Sequence, residues 1–448
     1  MPTPRQRKVG GGGSEADSSG TETSASKKKP ARRSARLSQK YDPADGQQGS
    51  TCSAFICNAF LWCCIATFTL VTMLIGFIAF MVVFVPSPVT VYPYSLPDPP
   101  AFDGPLATNN YLAAGKRVLE GQIAGPESLA VSKDGKLYTG LADGRIVEIA
   151  DDKITRQWQF SKVPKDVICG IPTNEPTCGR PLGVKLRNDD RTLFVLDPYN
   201  GFYELDLAQG AFRLHFGGNL TVQGRSMRFL NDLDFLDDDN VVITDSSSRY
   251  FRNNFPSVFL SAQPDGRVIQ YNLQTKKFTV LIDQLYFPNG IIALKDRSIL
   301  VAECGMARIF RIQLSGDRAG EKQIFADNLP GAPDNIRIGH NGNIWVPFAT
   351  MRQRDRFSMH DFIGPRPWIR ELIFKTFSDD QLLQFLGAIF KFTRYGLVVE
   401  LDMRGRIVRS LHDPTGEVTP SAAHIVELGP FAYIGSYKAP FLVKLRMS

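Results

Sequence analysis

The sequence predicts an all-β fold: a six-bladed β-propeller with a small helical insertion, preceded by one transmembrane helix and a disordered tail. Three features carry this reading: a recurring strand pattern, one long uncharged apolar run, and a stretch of helical character interrupting the fifth repeat. The clearest repeat is residues 229–250, FLNDLDFLDDDNVVITDSSSRY. Asn231-Asp232 opens onto Leu233 and Phe235, Asp237-Asp238-Asp239-Asn240 makes an acidic turn, and Val241-Val242-Ile243-Thr244 returns as a buried strand ending at Asp245.

Five other openings match it: Pro126-Glu127-Ser128-Leu129, Pro181-Leu182-Gly183-Val184, Pro288-Asn289-Gly290-Ile291, Pro333-Asp334-Asn335-Ile336 and Ala422-Ala423-His424-Ile425. Each leads through a turn to a second apolar run, such as Leu193-Phe194-Val195 or Ile344-Trp345-Val346. Repeats of roughly 45–60 residues with four short strands apiece are the signature of propeller blades. A strand at residues 117–123 precedes the first full opening, while the last repeat ends abruptly at Leu445. An N-terminal strand completing the last blade accounts for both and closes the ring without a free edge.

Charge divides the chain into segments. No charged residue lies between Asp45 and Asp98, and within that gap residues 59–85 are apolar, Thr or Gly. At about 1.5 Å per residue this run exceeds the roughly 30 Å hydrocarbon core of a bilayer, which predicts a signal-anchor helix over 53–85. Ten Lys and Arg residues between Arg5 and Lys40 precede it, so the tail at 1–52 is expected in the cytoplasm and the rest of the chain outside it. The expected location is the plasma membrane or the endoplasmic reticulum membrane. Most of the net charge of +7 belongs to that tail, which speaks against a nucleic-acid partner for the folded part. Prolines at 86–100 predict an extended stalk over 86–105, and the propeller then occupies 106–448.

Among the seven cysteines, Cys52, Cys57, Cys63 and Cys64 lie in or beside the span. Cys169 and Cys178 bracket a Pro-rich loop in an oxidising compartment and are expected to form a disulfide, leaving Cys304 unpaired. No Cys/His spacing suggests zinc. Asn219-Leu220-Thr221 is the one N-glycosylation sequon. The insertion at 351–395 carries a capping box, Ser378-Asp379-Asp380-Gln381, ahead of an apolar helical face, with a shorter helix expected over 368–377. A cap on the blades, a lid over the central site and a membrane-dipping element are all compatible with it.

Aligning the openings gives Glu127, Leu182, Asn231, Asn289, Asp334 and Ala423 at one equivalent position. Innermost strands of a propeller surround its axis, so these side chains should converge there. Two carboxylates and two amide oxygens suit a hard cation, calcium rather than zinc. Taken singly, each residue could instead merely tie its own turn. Asp232 and Asn335 are candidates to support the set from behind.

The motifs NDLDF...ITDSSSRY, FPNGI...VAE, LPGAPDNIR...NGNIWV and Cys178-Gly179-Arg180-Pro181-Leu182-Gly183 resemble the strictosidine synthase-like propellers over roughly residues 55–448. The resemblance implies a fold related to paraoxonases and other calcium-dependent lactonases, whose metal ligands fall on Glu127, Asn231, Asn289 and Asp334. It further implies hydrolysis of aryl esters or lactones, with Asp334 or Asp232 orienting water and His424 as proton carrier. Two departures matter. The glutamate used for alkaloid condensation is replaced by Ala423 or His424, which makes C–N condensation the weakest alternative. The histidine expected after Trp345-Val346 is absent, and Ser128 follows Glu127 where a second carboxylate is expected. A non-catalytic receptor or adhesion module, using the propeller face and the helical insertion to bind a protein, glycan or lipid, is therefore the rival class.

Overall fold

The computed structural model describes residues 48–392 and 394–447. The expected tail lies outside the described residues up to residue 47. The first element, α1 (Gln48–Phe84), contains the apolar stretch Ile56–Phe84, 29 residues long and sufficient in length and composition to cross a membrane.

Six antiparallel sheets of four or five strands form the blades. Their inner strands follow one another around a ring: Leu129–Val131, Val184–Leu186, Leu230–Phe235, Pro288–Ala293, the broken pair Gly331–Pro333 and Arg337–Ile338, and His424–Leu428. Each packs beside the next, and the last returns to the first. Closure occurs as expected, because Lys116–Val118 is the outermost strand of the last blade, with Lys116 opposite Lys444 and Val118 opposite Leu442. That strand is shorter than the sequence suggested. Leu119 takes a φ of 58° and turns the chain out of the sheet.

Alternating side chains of each blade face opposite neighbours, so the core consists of layers between blades. Leu397 and Val399 pack toward the fourth blade, whereas Val398 between them packs with Ile425 and Ile434 of the sixth. The same arrangement places Phe194, Leu233 and Ile243 between the second and third blades.

Two openings require glycine. A Cβ on Gly183 would press on the Asn231 carbonyl oxygen at 2.7 Å, and one on Gly290 would collide with the backbone at Asp334 and Ile336. Inner strands run closest at these places, so the side chain is dispensed with.

The insertion holds three helices. Two were expected: α5 (Pro367–Thr376) and α6 (Asp379–Phe392), the latter entered through the capping box, with Ser378 N–H donating to Gln381 Oε1 at 2.9 Å. The third, α4 (Met359–Ile363), was not legible because its single turn has no periodicity to read. Two shorter helices lie in loops, α2 (Glu175–Cys178) between the first and second blades and α3 (Phe255–Ser261) between the second and third strands of the third blade.

Residues 86–100 keep the extended backbone their prolines impose, yet they are not a free spacer. Tyr92 N–H donates to Ser261 O at 2.8 Å, and the Tyr94 ring is buried. Buried Arg370 donates to the carbonyls of Tyr92, Leu260, Ile363 and Gly364, and buried Arg352 joins Pro97 O to the Asp361 carboxylate. Both guanidiniums are satisfied only because these segments meet around them.

Arg370→Met leaves four carbonyls without this donor, at about 1–3 kcal/mol for each that stays buried and unpaired. Limited proteolysis should then cut within 86–100 while the blades persist; wild-type protection would show that the arginine does not hold the segment. Gly290→Ala should lower stability by about 1–3 kcal/mol through overpacking at the axis. Gly217, whose Cβ would meet open space, serves as the silent control in the same thermal unfolding series.

Candidate metal centre

The aligned residues meet. Glu127, Asn231, Asn289 and Asp334 line one cavity of about 60 Å³ at the axis, walled also by Phe229, Phe287, Cys304 and Tyr437. Local backbone form explains how they reach it. The pairing of the third blade's inner strand is irregular between Leu230 and Leu233, and that of the fourth between Pro288 and Ile291. Asn231 and Asn289 therefore sit in bulges, which re-aim a side chain without ending a strand. In the fifth blade the inner strand breaks outright on either side of Asp334.

Hydrogen bonding leaves the acceptors of this set exposed to one another. Asn231 Nδ2 donates to Ser246 Oγ at 3.0 Å, which fixes the amide and leaves Oδ1 free. Asn231 Oδ1, Asn289 Oδ1 and Asp334 Oδ1 are buried and have no hydrogen-bond partner. Each such atom costs about 1–3 kcal/mol if left unmet. Burial and the charge of Glu127 push the Asp334 carboxyl well above the usual carboxylate range, and burial raises the Cys304 thiol beside it. An oxygen-only set with unmet acceptors and two carboxylates fits a hard cation. Among the described residues no group of three or more His, Cys, Asp or Glu is gathered that could hold a metal ion.

Two arginines flank the cavity. Arg180, fully buried, donates to Glu127 Oε2 at 3.1 Å, and Arg252 donates to Glu175 Oε1 at 2.6 Å. Glu175 also accepts from the Tyr199 hydroxyl at 2.8 Å. It belongs to α2, inside the loop closed by the Cys169–Cys178 disulfide, whose Cα atoms are 5.8 Å apart. The covalent loop thus fixes the carboxylate that orients Arg252. Sequence reading found the disulfide but missed Arg180, Arg252 and Glu175, since nothing in their spacing ties them to the blade openings.

The residues beside the set have another occupation. Asp232 is gripped by Arg337 through both oxygens, at 2.6 and 2.7 Å, and its Oδ2 also accepts from Ile291 N–H at 3.0 Å. His424 Nδ1 accepts from Leu129 N–H at 2.7 Å, so its proton resides on Nε2. Val184 N–H approaches Ser128 Oγ at 3.4 Å in the same manner. All three stand one residue after the aligned position and join one blade's inner strand to the next. Neither Asp232 nor His424 lines the cavity. Asn335 is buried with a free Oδ1, its N–H donating to Ala423 O at 3.0 Å, and it too lies off the cavity wall.

Two further spaces adjoin the centre. An apolar pocket of about 230 Å³ beneath the insertion shares Phe255, Phe259 and Thr350 with it, and a more polar one of about 590 Å³ shares Glu127's partner Arg180 together with Arg252 and Tyr437. His360 in the apolar pocket, unnoticed in the sequence, pairs Nε2 with Gly305 O at 2.9 Å while Nδ1 has no partner. Burial lowers its pKa to about 4, so the ring is neutral at pH 7.

Residues 231–317 match the strictosidine synthase family pattern, and residues 104–149 match that of the strictosidine synthase-like N-terminal segment. Adipocyte plasma membrane-associated protein of Danio rerio is 42% identical over 371 residues, covering 82% of this chain and 86% of that protein. Its Homo sapiens counterpart is 38% identical over 363 residues, covering 81% and 84%. A gluconolactonase structure from Xanthomonas campestris aligns at a TM-score of 0.48 and 16% identity, over 82% of this chain and 99% of that one. With identity of this order over 81–82% of its length, the chain belongs to the adipocyte plasma membrane-associated protein family, within the strictosidine synthase-like group.

Proposed function

We propose that the chain is a membrane-anchored hydrolase of carboxylic esters or lactones that works with calcium at the axial cavity. The observation that carries this reading is the convergence of Asn231 Oδ1, Asn289 Oδ1 and Asp334 Oδ1, all without partners, beside Glu127 in a cavity adjoining both an apolar and a polar space. Glu127, Asn231, Asn289 and Asp334 would hold the ion. Calcium, when bound, supplies a Lewis acid that polarises a carbonyl oxygen and offsets the charge it gains.

The chain's own residues supply the remainder. Phe255 and Phe259, shared with the apolar pocket, hold the substrate's hydrocarbon part against the cavity and exclude water from that side. Arg252, oriented by Glu175, stands at the wall common to the polar space, where it can stabilise a departing carboxylate. Asp334 is the group left to orient water, because the Asp232 carboxylate is held by Arg337.

The same fact favours a second reading, in which the propeller is a calcium-stabilised module that binds a protein or glycan. Asp232 and His424, the two other candidates for proton transfer, are both engaged in joining blades. On either reading the basic flank before the span supports a propeller on the extracytoplasmic side.

Glu127→Gln keeps the shape and removes one ligand charge. Calcium at about 100 times its Kd should stabilise the wild-type protein by about 2.7 kcal/mol and the variant far less. Phenyl acetate turnover should vanish with chelator, return with calcium, and be lost in Glu127→Gln. A calcium-dependent melting point without any turnover supports the binding module; a melting point indifferent to chelator and to the substitution removes the metal from both readings.

Topology has its own check. Asn219 is exposed, in the loop preceding the short strand Thr221–Val222. Enzymatic removal of N-glycans should increase the gel mobility of full-length protein from a eukaryotic host, and Asn219→Gln should abolish that shift. An unglycosylated chain whose propeller is digested from the cytosolic side of sealed vesicles reverses the orientation.

A further inference from the structure

The apolar pocket beneath the insertion, whose Phe255 and Phe259 also serve the proposed function, has at its rim features that ester hydrolysis does not call for. Its inner wall is Phe255, Phe259, Leu260, Met359 and Ile363, contributed by α3 and α4. Its rim carries Arg356 and Arg394, both exposed, beside Phe357, which is 64% exposed. Among the described residues neither guanidinium has a carboxylate at ion-pairing distance; Arg356 lies over the Tyr395 ring, 5.3 Å from its centroid. The contrast with the rest of the insertion is sharp. Arg352 is paired with Asp361, and Arg370 is saturated by four carbonyls.

Size narrows the occupant. At about 230 Å³ the pocket is smaller than the roughly 300–1,000 Å³ of pockets that enclose drug-sized ligands. It suits one hydrocarbon chain better than a fused-ring body. Two cations at the rim of an otherwise hydrocarbon-lined space complement a single negative headgroup, and guanidinium groups match the planar or tetrahedral oxygens of carboxylate and phosphate. Among the described residues of the wall, the buried polar atom without a partner is His360 Nδ1, which belongs to a neutral ring and does not counter that charge.

We infer that this pocket binds a single-chain amphiphilic anion, its chain among Phe259, Leu260 and Ile363 and its carboxylate or phosphate at Arg356 and Arg394. Because Phe255, Phe259 and Thr350 are shared with the axial cavity, the occupant abuts the proposed metal centre. The inference concerns what the pocket holds and is tested without reference to turnover.

The test uses the full chain in phosphatidylcholine nanodiscs, which carry no net lipid charge, and a photoreactive palmitate analogue as probe. Adducts should map to peptides spanning 255–261 and 351–363. Unlabelled dodecanoate and dodecyl phosphate, representing a free fatty acid and a lipid-like phosphate, should compete about tenfold better than dodecanol; whichever of the two competes at lower concentration identifies the source. Arg356→Gln with Arg394→Gln should erase that preference, and the Arg→Lys pair should restore part of it. Both positions are exposed, so folding is not at stake, and Met359→Trp should reduce labelling by filling the pocket. Equal competition by dodecanol and dodecanoate in the wild type overturns the charge recognition. Adducts spread over other peptides, or labelling unchanged by Met359→Trp, overturn the site.

Discussion

Inner strands of a closed ring have sheet partners on one side only, so each presents a line of N–H and C=O groups toward the axis and its neighbours. That edge must be satisfied without water wherever it is buried. Here the residues just after the openings supply the partners: Asp232 for Ile291, His424 for Leu129, and Asp234, one strand pleat further on, for Ala293 at 3.0 Å. Thr244 and Ser246 add bonds to the carbonyls of Asn289 and Pro288 at 2.7 and 2.6 Å. Once the edges are joined in this way, Asn231 Oδ1, Asn289 Oδ1 and Asp334 Oδ1 are not needed for that joining. These free oxygens are a by-product of closure that the molecule can use for a ligand.

This two-step register explains what could be read from the chain and what could not. Aligned openings sufficed to gather Glu127, Asn231, Asn289 and Asp334, because strand order alone brings equivalent positions of a ring together. Asp232 and His424 looked equally chemical in sequence. Whether a carboxylate or imidazole faces a cavity or a neighbouring strand depends on a shift of one residue, which bulges decide and composition does not. Likewise the capping box disclosed α6 because its hydrogen bonds are local, whereas the docking of residues 86–100 depends on Arg370 and Arg352, buried by segments far away in sequence. The prolines suggested a stalk; the two arginines make it part of the folded body.

Charge around the centre is balanced in layers. Glu127 and Glu175 are met by Arg180 and Arg252, while burial and the charge of Glu127 hold the Asp334 carboxyl well above the usual carboxylate range. Glu175 accepts from both Arg252 and the Tyr199 hydroxyl, so it sets the direction of that guanidinium at the cavity wall. The disulfide closes the loop that carries α2 and this glutamate. A covalent bond at the rim thereby helps to set the charge arrangement at the axis.

The closing strand at Lys116–Val118 and the apolar helix occupy the same end of the chain. Tension applied through that end would otherwise peel the outermost strand from the last blade one residue pair at a time, the weakest direction in which a sheet can be loaded. Arg370 and Arg352 intercept such a pull at residues 92 and 97, well before it reaches Lys116. The insertion therefore acts as a strain relief, comparable to the clamp that grips a cable so that its soldered joint carries no load.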